Sequence, residues 1–153
     1  MTAEVNVFLD TSALFAGIWS STGGARMILK LGEAGAVNIV VCSRVLNEIE
    51  SVIRKKAPEN IGYLALILER SRTSVAPNPS EDMLGRCDQL LPHKADAEII
   101  ASAWEFQTDY FVTLDREHFI DNSSLVQEIP FQIGRPGDFL AWFRGRFSNL
   151  QSN

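Results

Sequence analysis

Short runs of β-branched and aromatic residues alternate along this chain with stretches whose apolar positions recur every three or four residues. Residues 5–9 form the first such run and end in Asp10-Thr11-Ser12, the chemistry of a strand passing directly into a helix start. Helix continues over residues 13–18, is interrupted by the turn residues Ser20-Ser21-Thr22-Gly23-Gly24, and resumes over 25–33 with Met27, Ile28 and Leu31 on one side. Residues 37–42 are nearly all β-branched, as a strand covered on both faces requires, and Ser43 is placed to cap a helix reaching Lys56. Pro58 suits the first position of a further helix over 59–72, and residues 74–76 make a short third strand before the Pro77-Asn78-Pro79 break. Residues 81–91 read as helix, Pro92-His93 stops it, and 95–106 is a strongly patterned helix. A fourth strand over 110–114 ends in Asp115, and a last strand over 129–133 precedes a closing helix over 136–147 that carries Phe139, Leu140, Trp142 and Phe143.

Strands alternating with helices imply βαβ crossovers and a mainly parallel sheet covered on both faces. The expected architecture is therefore α/β, a three-layer α/β/α sandwich. With 153 residues, 46% of them hydrophobic and 22% charged, the sequence suits a single domain over residues 1–153. It has no apolar run of the roughly 18 to 20 residues that a membrane span needs, and no leader pattern, so a soluble, cytoplasmic protein without a membrane partner is expected. Cys42 and Cys87 lack metal-ligand spacing and point to a reduced chain with Cys42 in the core. A net charge of -5 disfavours a bulk electrostatic grip on nucleic acid while leaving room for a local basic track beside an acidic centre.

In parallel sheets the ligand site lies beyond the carboxyl ends of the strands, and that rule selects residues. Asp10 and Asp115 each follow a strand, so both carboxylates are expected at the same edge. Each also has an ordinary alternative: Asp10 as the N-cap of the following helix and Asp115 as the cap of a turn through residues 116–119. Asp96 leads a helical face made by Ile99, Ile100, Ala103 and Trp104 and points inward, whereas Glu98, about 200° around the same helix, faces water. A carboxylate at the head of an apolar face is costly unless something pairs with it, although an acid in a first turn also complements the helix dipole. On the helix after Ser43, Glu48 and Glu50 flank the apolar face on opposite sides, and periodicity leaves the two open. Two unit negative charges about 4 Å apart repel by about 4 kcal/mol at an effective dielectric of 20. Converging acids would therefore bind protons or cations. Hard ions such as Mg²⁺ and Mn²⁺ take oxygen ligands and complete their shell with water and substrate phosphate, so such a site would suit phosphodiester hydrolysis.

Four blocks taken in order resemble the PIN domain family: Val7-Phe8-Leu9-Asp10-Thr11-Ser12, Ser43-Arg44-Val45-Leu46-Asn47-Glu48-Ile49, Asp96-Ala97-Glu98-Ile99-Ile100-Ala101-Ser102-Ala103, and Val112-Thr113-Leu114-Asp115-Arg116-Glu117-His118-Phe119. The resemblance implies a metal-dependent endoribonuclease acting on single-stranded or structured RNA, with Mg²⁺ or Mn²⁺ as cofactor and a homodimeric assembly. Asp10, Glu48, Asp96 and Asp115 match the family's acidic, metal-holding positions, and the pattern Glu48-Ile49 decides for Glu48 over Glu50. Ser12 and Thr113 match small hydroxyl positions that support the ligands, and Glu117 stands where some members carry an extra acid, with an exposed surface glutamate the plainer reading. Leu14-Phe15-Ala16-Gly17 followed by Gly23-Gly24-Ala25-Arg26 is similar to a branch of toxin components of toxin–antitoxin systems, which implies a cognate antitoxin partner.

RNA contact is expected from Arg54, Lys55 and Lys56, together with Arg26, Arg44, Arg70, Arg72 and Arg116, although the 54–56 run also suits a helix C-terminus. The alternative from another class is a non-catalytic PIN-like module that binds RNA or a protein. Gly23-Gly24 lacks the following Lys-Ser or Lys-Thr of a phosphate-binding loop, His93 and His118 lack zinc spacing and read as surface or half-buried histidines, and no glycine-flanked serine elbow occurs.

Overall fold

The computed structural model describes residues 4–151. Five strands, β1 (Asn6–Leu9), β2 (Asn38–Cys42), β3 (Ser74–Ala76), β4 (Tyr110–Val112) and β5 (Gln132–Gly134), form one sheet in the order β3-β2-β1-β4-β5. Every pairing is parallel. Helices α1 (Thr11–Trp19) and α2 (Gly24–Glu33) connect β1 to β2, and α3 (Ser43–Lys56) and α4 (Ile61–Arg70) connect β2 to β3. The return crossover to β4 carries α5 (Glu81–Asp88) and α6 (Lys94–Glu105); α7 (Ser123–Glu128) precedes β5, and α8 (Pro136–Gln151) closes the chain. From β1 the chain steps outward to β2 and β3, then returns past β1 to β4 and β5. Right-handed crossovers running in opposite directions place their helices on opposite faces, which gives the expected α/β/α layering.

The central strands show no in–out alternation. Val7, Phe8, Leu9, Ile39, Val40, Val41, Phe111 and Val112 are all fully shielded, because both faces of a parallel sheet are covered. Phe8 stacks on Phe111 across the β1–β4 pair at 5.6 Å. In the closing helix Phe139 and Phe143 are buried, whereas Phe147 is exposed. No helix among the described residues is long and apolar enough to cross a membrane.

Several elements differ from the sequence reading. Ser43 is the first helical residue of α3 and not its cap; extended Cys42 occupies the cap position and makes no side-chain capping bond, because the strand turns into the helix without an intervening residue. The helix expected over 59–72 is split into a 3-10 turn at Pro58–Asn60 and α4. β4 stops at Val112, so Asp115 lies three residues beyond the strand, and a π-helical turn, Arg116–Ile120, follows it. β5 begins at Gln132, while Ile129 and Phe131, assigned to that strand by their hydrophobicity, are buried in the connection ahead of it. α7 was not expected.

Candidate active site

The strand order reverses direction at β1, which makes the gap between the carboxyl ends of β1 and β4 the switch point where α/β sheets bind ligands. Asp10 stands there. Its amide donates to Val112 O at 3.2 Å, extending the β1–β4 ladder by one residue and setting its carboxyl beside Thr113. Oδ1 accepts from Ser12 Oγ at 2.8 Å and from the Ala13 amide at 2.9 Å, and Oδ2 accepts from Thr113 Oγ1 at 2.5 Å. Both hydroxyls also work the other way, Ser12 Oγ accepting from the Leu114 amide and Thr113 Oγ1 from the Asp115 amide, each at 2.9 Å. Ser12 and Thr113 thus hold the two strand exits together with Asp10 between them. The Asp10 carboxyl is only 4% exposed for the whole residue, and burial pushes its pKa up to about 6 against the pull of its three donors, with the charge on Asp115 adding to the rise.

Asp115 caps the π-helical turn, its Oδ1 accepting from the His118 amide at 3.0 Å while Oδ2 meets His118 Nδ1 at 2.7 Å. Partial burial alone would raise this carboxyl, but the His118 amide and ring hold it below the usual range, and the His118 ring is raised in turn by its bond to Asp115. Glu48, in the second turn of α3, accepts from Thr11 Oγ1 at 2.5 Å. Glu50 lies elsewhere and pairs with Arg54 at 3.0 Å. Asp96 sits in the first turn of α6, half-buried. Burial pushes it up; His118 and His93 oppose that rise, and the charges of Asp115 and Glu48 add to it.

Asp10, Glu48, Asp96 and Asp115 all line one cleft of ≈ 510 Å³, walled on its apolar side by Phe15, Ile99 and Phe119. The structure therefore places the four predicted acids around a single opening, and Asp10 and Asp115 are at the same time the helix and turn caps that the alternative reading foresaw. Glu117 is exposed and outside the cleft lining. Arg54, Lys55 and Lys56 occupy the far end of α3, Arg116 pairs with Asp121, and Arg44 is tied to Glu98 beside the cleft.

Three contributors escaped the sequence reading. Thr11 holds Glu48, Phe15 forms the cleft wall, and His118 braces Asp115 while its ring meets His93 edge-on at 4.9 Å. The signal for His118 was its place three residues after a capping aspartate, where the backbone turn folds a side chain back onto the cap.

The all-oxygen donor set suits a hard divalent cation. Among the described residues no three His, Cys, Asp or Glu side chains stand close enough to hold an ion by themselves. Mg²⁺ needs no such cage, since it keeps several waters and is held by one or two carboxylates plus substrate phosphate. A buried carboxylate raised toward neutrality by burial, facing others across a cleft, is a group that a cation would relieve. In donor chemistry and location these residues fit such an ion.

Comparison with known proteins bears on the fold and the family. No curated protein sequence matches the chain. Among solved structures, VapBC2 from Rickettsia felis, bound to a DNA fragment from their promoter, is similar with a TM-score of 0.66 at 18% identity, covering 86% of this chain and 98% of that one. PAE2754 from Pyrobaculum aerophilum is similar with a TM-score of 0.64 at 18% identity, covering 92% of this chain and 90% of that one. VapBC-1 from nontypeable Haemophilus influenzae gives 0.62 at 14% identity, covering 87% and 99%. At these identities the likeness is one of fold. The PIN domain family model matches residues 6–117, a span that starts in β1, takes in all four acids and ends two residues beyond Asp115, so the chain belongs to the PIN domain family.

Proposed function

We propose that this protein is an endoribonuclease dependent on Mg²⁺ or Mn²⁺, that Asp10, Glu48, Asp96 and Asp115 form its metal-holding and catalytic set, and that it is the toxin of a toxin–antitoxin pair. The observation that carries the reading is that four carboxylates from four segments distant in sequence line one cleft at the switch point of the sheet. A divalent cation bound there would supply Lewis acidity toward a phosphodiester oxygen and bring the pKa of water toward neutrality. The chain's own residues do the positioning. Ser12, Thr113 and the Ala13 amide fix both oxygens of Asp10, His118 fixes Asp115 and Thr11 holds Glu48, so three of the four acids are held before any ligand arrives. Glu48 and Asp96, each partly exposed on its helix, complete the acidic wall facing an incoming RNA phosphate.

The toxin reading is supported by the likeness in fold to VapBC2 and VapBC-1 and by the segment from Leu14 to Arg26. It brings with it a cognate antitoxin protein, a homodimer and a cytoplasmic site of action. A second reading, a non-catalytic RNA-binding or protein-binding module, is favoured by one observation: both oxygens of Asp10 already have protein partners.

Calorimetric titration of Mn²⁺ into wild type and Asp96→Asn, with cleavage of RNA followed in the same buffer, separates the two. The nuclease predicts metal binding and metal-dependent cutting that are both lost in Asp96→Asn, with cutting also lost in Asp10→Asn while RNA is still bound. A folded wild type that neither binds Mn²⁺ nor cuts RNA would establish the module instead.

A further inference from the structure

The wall of the acidic cleft continues beyond the acids as a stack of two aromatic rings. Phe15, which lines the cleft, stacks on Trp19 one turn further along α1, with ring centroids 4.7 Å apart and planes inclined by only 7°. Trp19 is 46% exposed, unusually open for so large an apolar side chain. It also lines a neighbouring hollow of ≈ 390 Å³ together with Arg26 and Tyr63. Arg26 is clamped there, Nη2 donating to Ile18 O and to Tyr63 Oη, both at 2.9 Å, and Nε donating to Ser20 O at 3.1 Å. Arg26 and Tyr63 in turn share a further hollow with Lys30 and Arg70, where three cationic side chains meet one acid, Glu33. In a chain of net charge -5 this is a local reversal of sign, and it is reached from the acids by way of the Phe15–Trp19 stack and its exposed indole.

We propose that Trp19 is a base-stacking platform for single-stranded RNA beside the cleft, with Arg26, Lys30 and Arg70 forming the phosphate track beyond it. The proposal rests on the nuclease reading and adds a subsite to it. An aromatic stack that begins in the cleft wall, ends on an exposed indole and is followed by cations matches the alternation of base and phosphate along an unpaired strand. Single-strand binders combine such stacking surfaces with a positive groove, whereas a paired base inside a duplex offers no free face. Two outcomes mark a nucleic-acid strand and not a protein partner: quenching of the indole by a stacked base, and a salt dependence set by phosphate contacts.

The test is equilibrium binding of a short, labelled, single-stranded RNA in EDTA, which keeps the strand intact, read by anisotropy and by tryptophan fluorescence. Trp104 lies under Arg86 and Trp142 packs on Tyr110, so a quench on binding reports Trp19. Trp19→Ala is expected to weaken binding by about 5- to 100-fold and to remove most of the quench, while Trp19→Tyr, which keeps a flat ring, stays within about threefold of wild type. Lys30→Ala is expected to make the slope of log affinity against log salt shallower by about 0.7. Wild type that binds RNA while Trp19→Ala binds as well and quenches as strongly overturns the platform, leaves the nuclease reading standing and gives this surface to a protein partner. Wild type with no affinity for the RNA overturns the platform, and the nuclease reading is decided separately by Mn²⁺ binding and metal-dependent cleavage.

Discussion

Asp10 carries a charge that its surroundings only partly accommodate. Three donors favour the carboxylate, yet burial outweighs them and its pKa rises from 3.8 to about 6. A carboxyl raised in the folded state binds more protons there than in the unfolded chain between those two values, so its contribution to stability falls as pH climbs through that window. The loss amounts to roughly 3 kcal/mol at neutral pH, since one pKa unit is worth about 1.4 kcal/mol. Asp10→Asn removes the titration and keeps the shape: the amide oxygen can still accept from Ser12 and Ala13, and the amide nitrogen can donate to Thr113 Oγ1. In urea unfolding with EDTA present, the variant is expected to lose the decline between pH 4 and 6 and to match or exceed wild type at pH 7. An unchanged pH slope in the variant would falsify this account of the site. Asp115 behaves in the opposite sense and His118 in the same sense as Asp10: the carboxyl is lowered and the ring raised, so their pairing is lost as pH falls through the former or rises through the latter.

Elements whose role is set by local pattern were legible in the sequence, and those set by packing were not. β1, β2 and β4 announced themselves because a strand buried on both faces must be apolar at every position, and the inward face of α6 identified Asp96. Glu48 was a different matter. It lies at the edge of its helix face, as Glu50 does, and only the resemblance chose between them; the structure separates them by partner, Thr11 for one and Arg54 for the other. α7 has a single buried residue, Leu125, behind the polar run Asn122-Ser123-Ser124, so no period exists for a reader to find. The π-helical turn after Asp115, which returns His118 to the aspartate, likewise leaves no trace in hydrophobicity.

Packing also reverses an expectation from propensity at Gly32. Alanine in its place would favour α2 by up to about 1 kcal/mol as a helix former. Here, though, the added Cβ would run into the Ile39 side chain of β2 and the Ser71 carbonyl. The backbone carbonyl has nowhere to go, and overpacking of this kind typically costs about 1 to 3 kcal/mol. Gly32→Ala is expected to lower the urea midpoint with an unchanged m-value; a variant more stable than wild type would mean that α2 can lift from the sheet without penalty.

The four acids tie together segments that are far apart in the chain: the exits of β1 and β4, the second turn of α3 and the first turn of α6. A ligand held among them can bind only when β1 and β4 are paired and both helices are docked, so its binding energy belongs to the folding of the sheet as one unit and not to a local loop. That makes metal dependence visible as stability. A cation that binds the native state alone adds about 2.7 kcal/mol when supplied at a hundred times its Kd. Mn²⁺ at that excess is accordingly expected to raise the urea midpoint at pH 7, with one cooperative transition and the same m-value, and EDTA to reverse it. The effect should shrink at pH 5, where Asp10 is occupied by a proton that the cation must displace. Asp96→Asn should lose most of the shift while unfolding normally without metal, because Asp96 is half-buried and, among the described residues, its side chain makes no hydrogen bond or ion pair. An equal Mn²⁺ shift in wild type and Asp96→Asn would place the ion somewhere other than this cleft, and the four acids would then be read as caps and helix-edge charges of a binding module.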